Sequence, residues 1–381
     1  MRKRTQGVIA LSLLSLLAAA CGSSATGGSQ SSDSTITLAF TGTLTGSFAS
    51  YAQQMQQGFN LAVKQLNSSG GIDGAKISVT YRDDQGQAQN GPVVAREFCA
   101  NSSVRAVVGF SFSDIAVAAA PVYGQCGLPV VGAAVTSPLL SGISPYFFRT
   151  SATDATQGSQ MGDYLVRVLG IHRVAVLYQE SDYGQGGDAA FTKTVRADGG
   201  TILYNQGYQL NTVDYSTPLT KIKSLSPQAI YIDGFYNEAA KIAQQAKGLG
   251  INTQLMGTDG SLSPQLMSLG GHAVNGMLLY GLFNPTTPTT AAAKDFVKIF
   301  KKAYGQEPSS WAALAYDAVY AISNAAKSAG GTSRQDIERG LKTVSVAGAT
   351  GAVSFNARGD RQVKIIVLQV KNGQFTLAPK Q

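Results

Sequence analysis

One pattern limits the folds open to this chain. Short runs of continuous apolar residues recur between stretches of helical spacing, in two successive series. In the first, TITLAFTG, KISVTYRDD, VRAVVGF and LPVVGAAV read as strands. They are separated by helix-like YAQQMQQGFNLAVKQLNSSGG, QAQNGPVVAREFCANS and SDIAVAAAPVYGQCG. The second series follows YFFRTSATD. It has strands in RVAVLYQ, TILYNQGY, AIYIDGF and TQLMGTDG, with helices in DAAFTKTVRADGG and EAAKIAQQAKGLG. A strand that is apolar throughout must be covered on both faces, which requires a parallel sheet with helices packed on each side. Two series of roughly 115 and 125 residues therefore predict an α/β protein of two doubly wound lobes. The remainder does not make a third. AAAKDFVKIFKKAYG, WAALAYDAVYAISNAAKSAGG and IERGLKTV read as successive helices that could complete a lobe only by packing on an earlier sheet. GAVSF and QVKIIVLQVKNG then read as a closing hairpin.

Apolar residues make up 44% of the 381 and charged ones 14%, which fits a globular chain rather than a disordered one. The formal charge is +8. Discounting Arg2, Lys3 and Arg4, which lie in a segment expected to be removed, leaves about +5 with no basic cluster, so nucleic acid is a poor partner. MRKR is a basic n-region and VIALSLLSLLAAA an apolar stretch too short to span a bilayer comfortably. Ala18-Ala19-Ala20 before Cys21 resembles a bacterial lipoprotein signal, with Ala18 where leucine is usual. Residues 1–20 are then the signal peptide, Cys21 the lipidated residue and residues 21–34 a Gly/Ser tether; ordinary A-x-A cleavage is the other reading. The chain has three cysteines, and if Cys99 and Cys126 pair, Cys21 is left over for acylation. The product would be extracytoplasmic, anchored to the bacterial cell membrane by lipid alone.

In open α/β sheets, ligands sit beyond the carboxyl ends of the strands. VRAVVGF leads into Ser111-Phe112-Ser113-Asp114, and LPVVGAAV into Thr136-Ser137-Pro138. Each alone reads as a helix cap. Together, at adjacent strand ends, they read as two helix N-termini able to hold an anion such as a carboxylate. The second series presents Tyr183, Asp233, Phe235, Tyr236 and Asp259 at its strand ends. A carboxylate there could bind an ammonium group, and position alone does not choose between Asp233 and Asp259.

The stretches TGTLTGSFASYAQQMQQGFNLAVKQLNSSGGIDGAKISVTYRDDQ, AVVGFSFSDIA, GLPVVGAAVTSPLL, YFFRTSATDATQG, VAVLYQESDYGQGG and TQLMGTDG resemble, in order, the branched-chain amino-acid substrate-binding proteins of ABC transporters. These belong to the type I periplasmic-binding-protein superfamily. The resemblance spans residues 35 to 370. It implies two Rossmann-like lobes joined by three crossovers near residues 153, 283 and 351. Residues 35–152 and 284–350 would form lobe 1, and 153–283 and 351–381 lobe 2, with the late helices returning to lobe 1. It also implies that Ser113, the backbone of Ala134 and Thr136 hold an α-carboxylate. Tyr51 would lie against the ligand side chain, while Tyr183 and Asp259 hold the α-ammonium, with Phe235 beside them. The family carries Glu where Asp259 stands and Tyr where Phe235 stands. A disulfide between Cys99 and Cys126, on consecutive helices of lobe 1, fits the same picture.

The expected function is capture of a small, apolar amino acid for an ABC importer permease by a monomeric, non-enzymatic protein without cofactor or metal. Two other cargo or role readings stay open. One is an amide, urea or aromatic acid stacked on Phe112, Tyr51 and Phe235; the other is a ligand-sensing subunit of a signalling receptor. GQGGDA (184–189) formally matches a dinucleotide fingerprint, but its glycines start four residues beyond the strand. Arg358-Gly359-Asp360 reads as a turn, Asp83-Asp84 as a solvated or hinge-supporting pair. His172 and His272 lack any metal-ligand or nucleophile spacing.

Overall fold

The computed structural model describes residues 35–380. The predicted signal peptide, Cys21 and the tether fall outside the described residues. The chain runs β1 (Thr35–Gly42), α1 (Ala49–Ser68), β2 (Lys76–Asp83), α2 (Asn90–Ala100), β3 (Val104–Gly109), α3 (Ser113–Cys126), β4 (Val130–Gly132) and β5 (Phe147–Arg149). These strands form one parallel sheet in the order β2-β1-β3-β4-β5. The next series is α4 (Asp154–Asp163), β6 (Arg173–Gln179), α5 (Asp182–Ala197), β7 (Thr201–Tyr208), α6 (Ser216–Leu225), β8 (Ala229–Asp233), α7 (Tyr236–Gly248), β9 (Gln254–Gly257), α8 (Pro264–Gly270) and β10 (Leu278–Gly281). Its parallel strands repeat the same winding, β7-β6-β8-β9-β10. Each sheet therefore has a switch point, between β1 and β3 in one lobe and between β6 and β8 in the other, where doubly wound folds place their ligands.

The central strands are apolar on both faces because both faces are covered: β1 is buried from Ile36 to Gly42 and β8 along its whole length. The helices α9 (Ala291–Tyr304), α10 (Ser310–Ala329) and α11 (Arg334–Leu341) follow β10. α10 packs on α1, β3 and β4, and α11 on α10 and β3, so this late segment closes the first lobe. The closing strands are β11 (Val346–Gly348), β12 (Gly351–Val353), β13 (Ile366–Lys371) and β14 (Gln374–Leu377). GAVSF does not pair with the last strand as expected; β12 pairs with β11 instead. The final hairpin is β13–β14, joined to the second sheet through β10 and turned at Asn372-Gly373. Both turn residues have positive φ (52° and 73°), as a two-residue hairpin turn requires.

Two further expectations need correction. LPVVGAAV is a strand only over Val130–Gly132, because the Ala133 amide turns to the Gly109 carbonyl and the chain leaves the sheet. Pro138 opens a single 3-10 turn, Pro138–Leu140, rather than a helix. Short elements such as β5, β10 and α8 had no sequence signal of their own; three- to seven-residue segments carry too few positions to show a period.

Arg358–Asp360 is a turn, with Asn356 Oδ1 accepting from the Arg358 and Asp360 amides at 2.8 and 3.0 Å. It also does something the sequence did not suggest. Asp360 Oδ1 pairs with Arg149, the last residue of β5 and fully buried, through Nε at 2.8 Å and Nη2 at 2.5 Å. Its neighbour Arg361, 1% exposed, donates to the Thr150, Thr350 and Ala352 carbonyls and to Thr350 Oγ1. The segments 149–150 and 349–361 are thereby locked together.

Cys99 on α2 and Cys126 at the end of α3 form a disulfide with Cα atoms 5.9 Å apart, the two positions being 27 apart in sequence. Closing a loop of this size should stabilise the fold by about 3 kcal/mol. Replacing both cysteines by serine should lower the urea midpoint accordingly, and reductant should then have no further effect on the variant.

Candidate ligand site between the two lobes

The carboxyl ends of β3 and β4 form one rim. Ser113, the first residue of α3, is buried, and its Oγ accepts from the Thr136 and Ser137 amides, both at 3.2 Å. Those amides are thus already engaged, and the expected pair of free helix ends reduces to the α3 N-terminus and the loop 133–137. What remains open on the loop is the Thr136 hydroxyl, which is 1% exposed and, among the described residues, has only the Asp154 carboxyl approaching it, without a hydrogen bond of good geometry. Ala134 is half-buried on the same loop.

The other rim comes from β6, β8 and β9. Asp259 opens a 3-10 turn after β9 and is 6% exposed. Its Oδ1 lies 3.0 Å from the Tyr183 hydroxyl and accepts from the Gly260 amide at 2.8 Å; Oδ2 accepts from Gln157 Nε2 at 3.0 Å. Tyr183 is set by α5, whose N-cap is Ser181, and its hydroxyl also lies 2.6 Å from Thr258 Oγ1. Burial pushes the Asp259 carboxyl up to about 6, while the bonds from Gln157, Tyr183 and Gly260 pull it back. This carboxyl has hydrogen bonds but, among the described residues, no ion pair.

Asp233, the competing acid, is fully buried, with Oδ2 where a side chain at Gly187 would sit. It lies behind α5 rather than on the rim. The same observation accounts for GQGGDA. A Cβ at Gly184 would meet the Gln179 carbonyl at 2.2 Å, at Gly186 it would meet Pro138 Cδ at 2.6 Å, and at Gly187 Asp233 Oδ2 at 2.0 Å. The glycines permit close packing, including of lobe 1 against lobe 2.

The lobes meet across the cleft. The Tyr51 hydroxyl donates to the Gly260 carbonyl, the Tyr236 hydroxyl to Ser47 O at 3.1 Å, and the Asp182 amide to Asp114 Oδ1 at 2.9 Å. Phe235 stacks on Tyr183 at 5.3 Å and meets Phe112, Phe48 and Tyr51 edge-on at 5.0, 5.6 and 5.9 Å. A phenylalanine at 235 packs on these rings and brings no hydroxyl of its own to be satisfied. The hollow left between Phe112, Ser113, Gln179, Tyr183 and Phe235 is about 60 Å³. A ligand pocket is typically several hundred Å³, so cargo enters only if the lobes part and these rings move. Two larger hollows, of about 680 and 660 Å³, lie away from Asp259. The first sits at the far edge of the second sheet beside Gln228 and His272, the second between α1 and Phe283-Asn284. The trailing edge of a doubly wound sheet is not where such folds bind, and neither hollow gathers a charged set.

Thus Tyr51, Tyr183, Phe235 and Asp259 share one contact network, and Ser113, Ala134 and Thr136 form the rim across from it. Two connections escaped the sequence reading. Gln157 on α4 bridges the Ala152 carbonyl (3.2 Å) and Asp259, and the Asp154 amide donates to the Thr136 carbonyl at 2.8 Å. The first turn of α4 therefore ties one rim to the other. Both residues lay within TDATQG, where nothing but the fold shows what they reach. Among the described residues no group of His, Cys, Asp and Glu could hold a metal ion, and no helix is long and apolar enough to cross a membrane.

A family model described as periplasmic binding protein matches residues 35–374. The Leu/Ile/Val-binding protein homolog 1 of Brucella suis is 30% identical over 319 residues, 83% of this chain and 85% of the relative. Among solved structures, the leucine-binding protein LivK of Thermotoga maritima has a TM-score of 0.86 at 28% identity, covering 91% of this chain and 98% of its own. The LivJ substrate-binding protein of Streptococcus pneumoniae, in complex with isoleucine, has a TM-score of 0.84 at 31% identity, covering 91% and 99%. Proteins of this kind bind substrates for transport and are not enzymes. By its match over most of its length and by its two-lobed type I fold, the chain belongs to the periplasmic binding protein family, among the branched-chain amino-acid substrate-binding proteins of ABC transporters.

Proposed function

We propose that this protein captures a small apolar amino acid between its lobes and delivers it to the permease of an ABC importer. The observation that carries this reading is a buried carboxylate without an ion pair among the described residues, Asp259, held by Tyr183 and Gln157 across a cleft from the hydroxyl-bearing rim of Ser113 and Thr136. A zwitterion supplies both missing charges: its carboxylate meets Thr136 and the α3 N-terminus, its ammonium meets Asp259 and Tyr183. The relatives' leucine and isoleucine suit the walls, because Phe48, Phe112 and Phe235 offer only ring surface to a side chain and the Tyr51 hydroxyl is engaged by the Gly260 carbonyl. A ligand with a carboxylate but no ammonium would leave Asp259 unpaired, so aromatic acids are disfavoured in spite of the rings.

Residues 35–152 with 284–350, and 153–283 with 351–381, are the two lobes in this reading, except that the stretch 351–361 stays with lobe 1 through the β11–β12 pairing and the Arg149–Asp360 pair, and Cys21 carries the lipid anchor. Ligand binding favours closure only by its differential affinity for the closed state. The chain's one tryptophan, Trp311, lies 5.8 Å from the Tyr51 ring and reports on the cleft. Its fluorescence should change saturably with leucine, isoleucine or valine and not with benzoate or urea; a response to benzoate alone would reject the amino-acid reading. Fatty-acid labelling of the expressed protein should disappear in Cys21→Ser; persistent label would reject the anchor.

A further inference from the structure

Two carboxyls beneath the ammonium pocket take no part in the hydrogen bonds described above. Asp154 and Asp233 are both fully buried, and among the described residues none of their four oxygens has a hydrogen-bond partner of good geometry, the Thr136 hydroxyl being the polar group that approaches Asp154. They pack against one turn of α5, Asp233 Oδ2 at 2.0 Å from a Cβ built on Gly187 and Asp154 Oδ2 at 3.3 Å from one built on Gly186. The paired glycines make the space that admits both acids. A carboxylate shut off from solvent and without an ion-pair partner is strongly disfavoured in such an interior, and the group holds its proton instead.

The groups facing them reinforce this. Asp233 is approached by Asp154, Asp259 and, from α5, Asp188; the phenols of Tyr231 on β8, Tyr280 on β10 and Tyr183 on α5 are neutral. Asp154 is approached by Asp259, with the Thr136 side chain and the Arg149 guanidinium opposing, and Arg149 is already paired with Asp360. Burial first, then mutual repulsion, holds both carboxyls well above the usual range.

We propose that Asp154 and Asp233 form a proton store beneath the Asp259 pocket, so that the arrival of a ligand ammonium expels protons from the cleft. This rests on the amino-acid reading and deepens it. An ammonium docked on Asp259 adds a positive charge beside both carboxyls and favours their ionised forms. Protons leave, and affinity rises with pH for as long as the ligand-free carboxyls hold them, then levels off. Asp259 acts with the same sign but supplies one proton at most. Asp154 and Asp233 are here positioning residues that act on the ligand through the field at Asp259.

The test is calorimetric titration of the full folded body with leucine in two buffers of different ionisation heat, from about pH 5 to 8, which counts protons released per ligand. The wild type should release more than one at its maximum, a number that Asp259 alone cannot supply. Asp233→Asn and Asp154→Asn should each lower the count and flatten the dependence of Kd on pH. A wild-type count that never exceeds one overturns the proposal, even if neither variant folds; an unchanged count in both folded variants does the same. A wild type that binds no amino acid at any pH instead overturns the amino-acid reading, and this proposal falls with it.

Discussion

Asp259→Ala should weaken binding of an α-amino acid by about 30- to 5,000-fold at neutral pH, because truncating one partner of a desolvated charge pair costs about 2–5 kcal/mol. The ligand's ammonium would then enter a buried site with only the Tyr183 hydroxyl and backbone to meet it. The same substitution should leave folding nearly intact. The ligand-free protein loses three hydrogen bonds to this carboxyl, but also loses the burial that pushes it up to about 6. A group whose folded value is raised destabilises the fold as pH climbs through that value, so above about pH 6 the two losses oppose each other. Titration by tryptophan fluorescence and urea unfolding at pH 8 separate the effects. Unchanged affinity in a folded variant would reject Asp259 as the ammonium partner; a large fall in stability would reject the claim that its burial offsets its bonds.

Asp360→Ala should destabilise the protein by about 3–5 kcal/mol, the usual result of removing one partner from a buried ion pair. Arg149 has no exposed surface, and without Asp360 its charge keeps only the Ser137 carbonyl at 2.7 Å and Ser141 Oγ at 2.5 Å. Ser137 belongs to the loop that carries Thr136, so ligand affinity should fall as well. By contrast, Lys301–Glu307, with both side chains about half exposed, should contribute under about 1 kcal/mol. Urea midpoints at constant slope give the comparison, and an Asp360→Ala loss no larger than that of Glu307→Ala would show that the buried pair is not what locks 149–150 to 349–361. Replacing Arg149 and Asp360 together by apolar residues of similar volume should recover much of the loss, since no charge is then left buried alone.

The sequence was a good guide wherever one segment's own composition decides its fate. Continuous apolar strands between helical stretches required sheets covered on both faces, and the strand-end rule singled out Ser113, Thr136, Tyr183, Asp233 and Asp259 as candidates. It was a poor guide where the deciding partner lies far along the chain. Asp154 and Gln157 sit next to residues singled out from the sequence, yet their partners at 136 and 259 come from other strands of both lobes. Asp233 and Asp259 had equal claims by position, and only packing put one behind α5 and the other on the rim.

The glycines of GQGGDA make the same point from the opposite side. As a string they matched a phosphate-binding fingerprint, whereas in space each is small because the Gln179 backbone, Pro138 or Asp233 occupies the place of its side chain. Local pattern and composition, acting through hydrophobic burial and backbone hydrogen bonding, determined the α/β winding and where along it ligands could sit. Which polar groups end up buried, paired or left with unsatisfied charge was decided only by the tertiary structure, because electrostatic energy depends on distance through space and on exclusion of water, and neither is written in the order of residues.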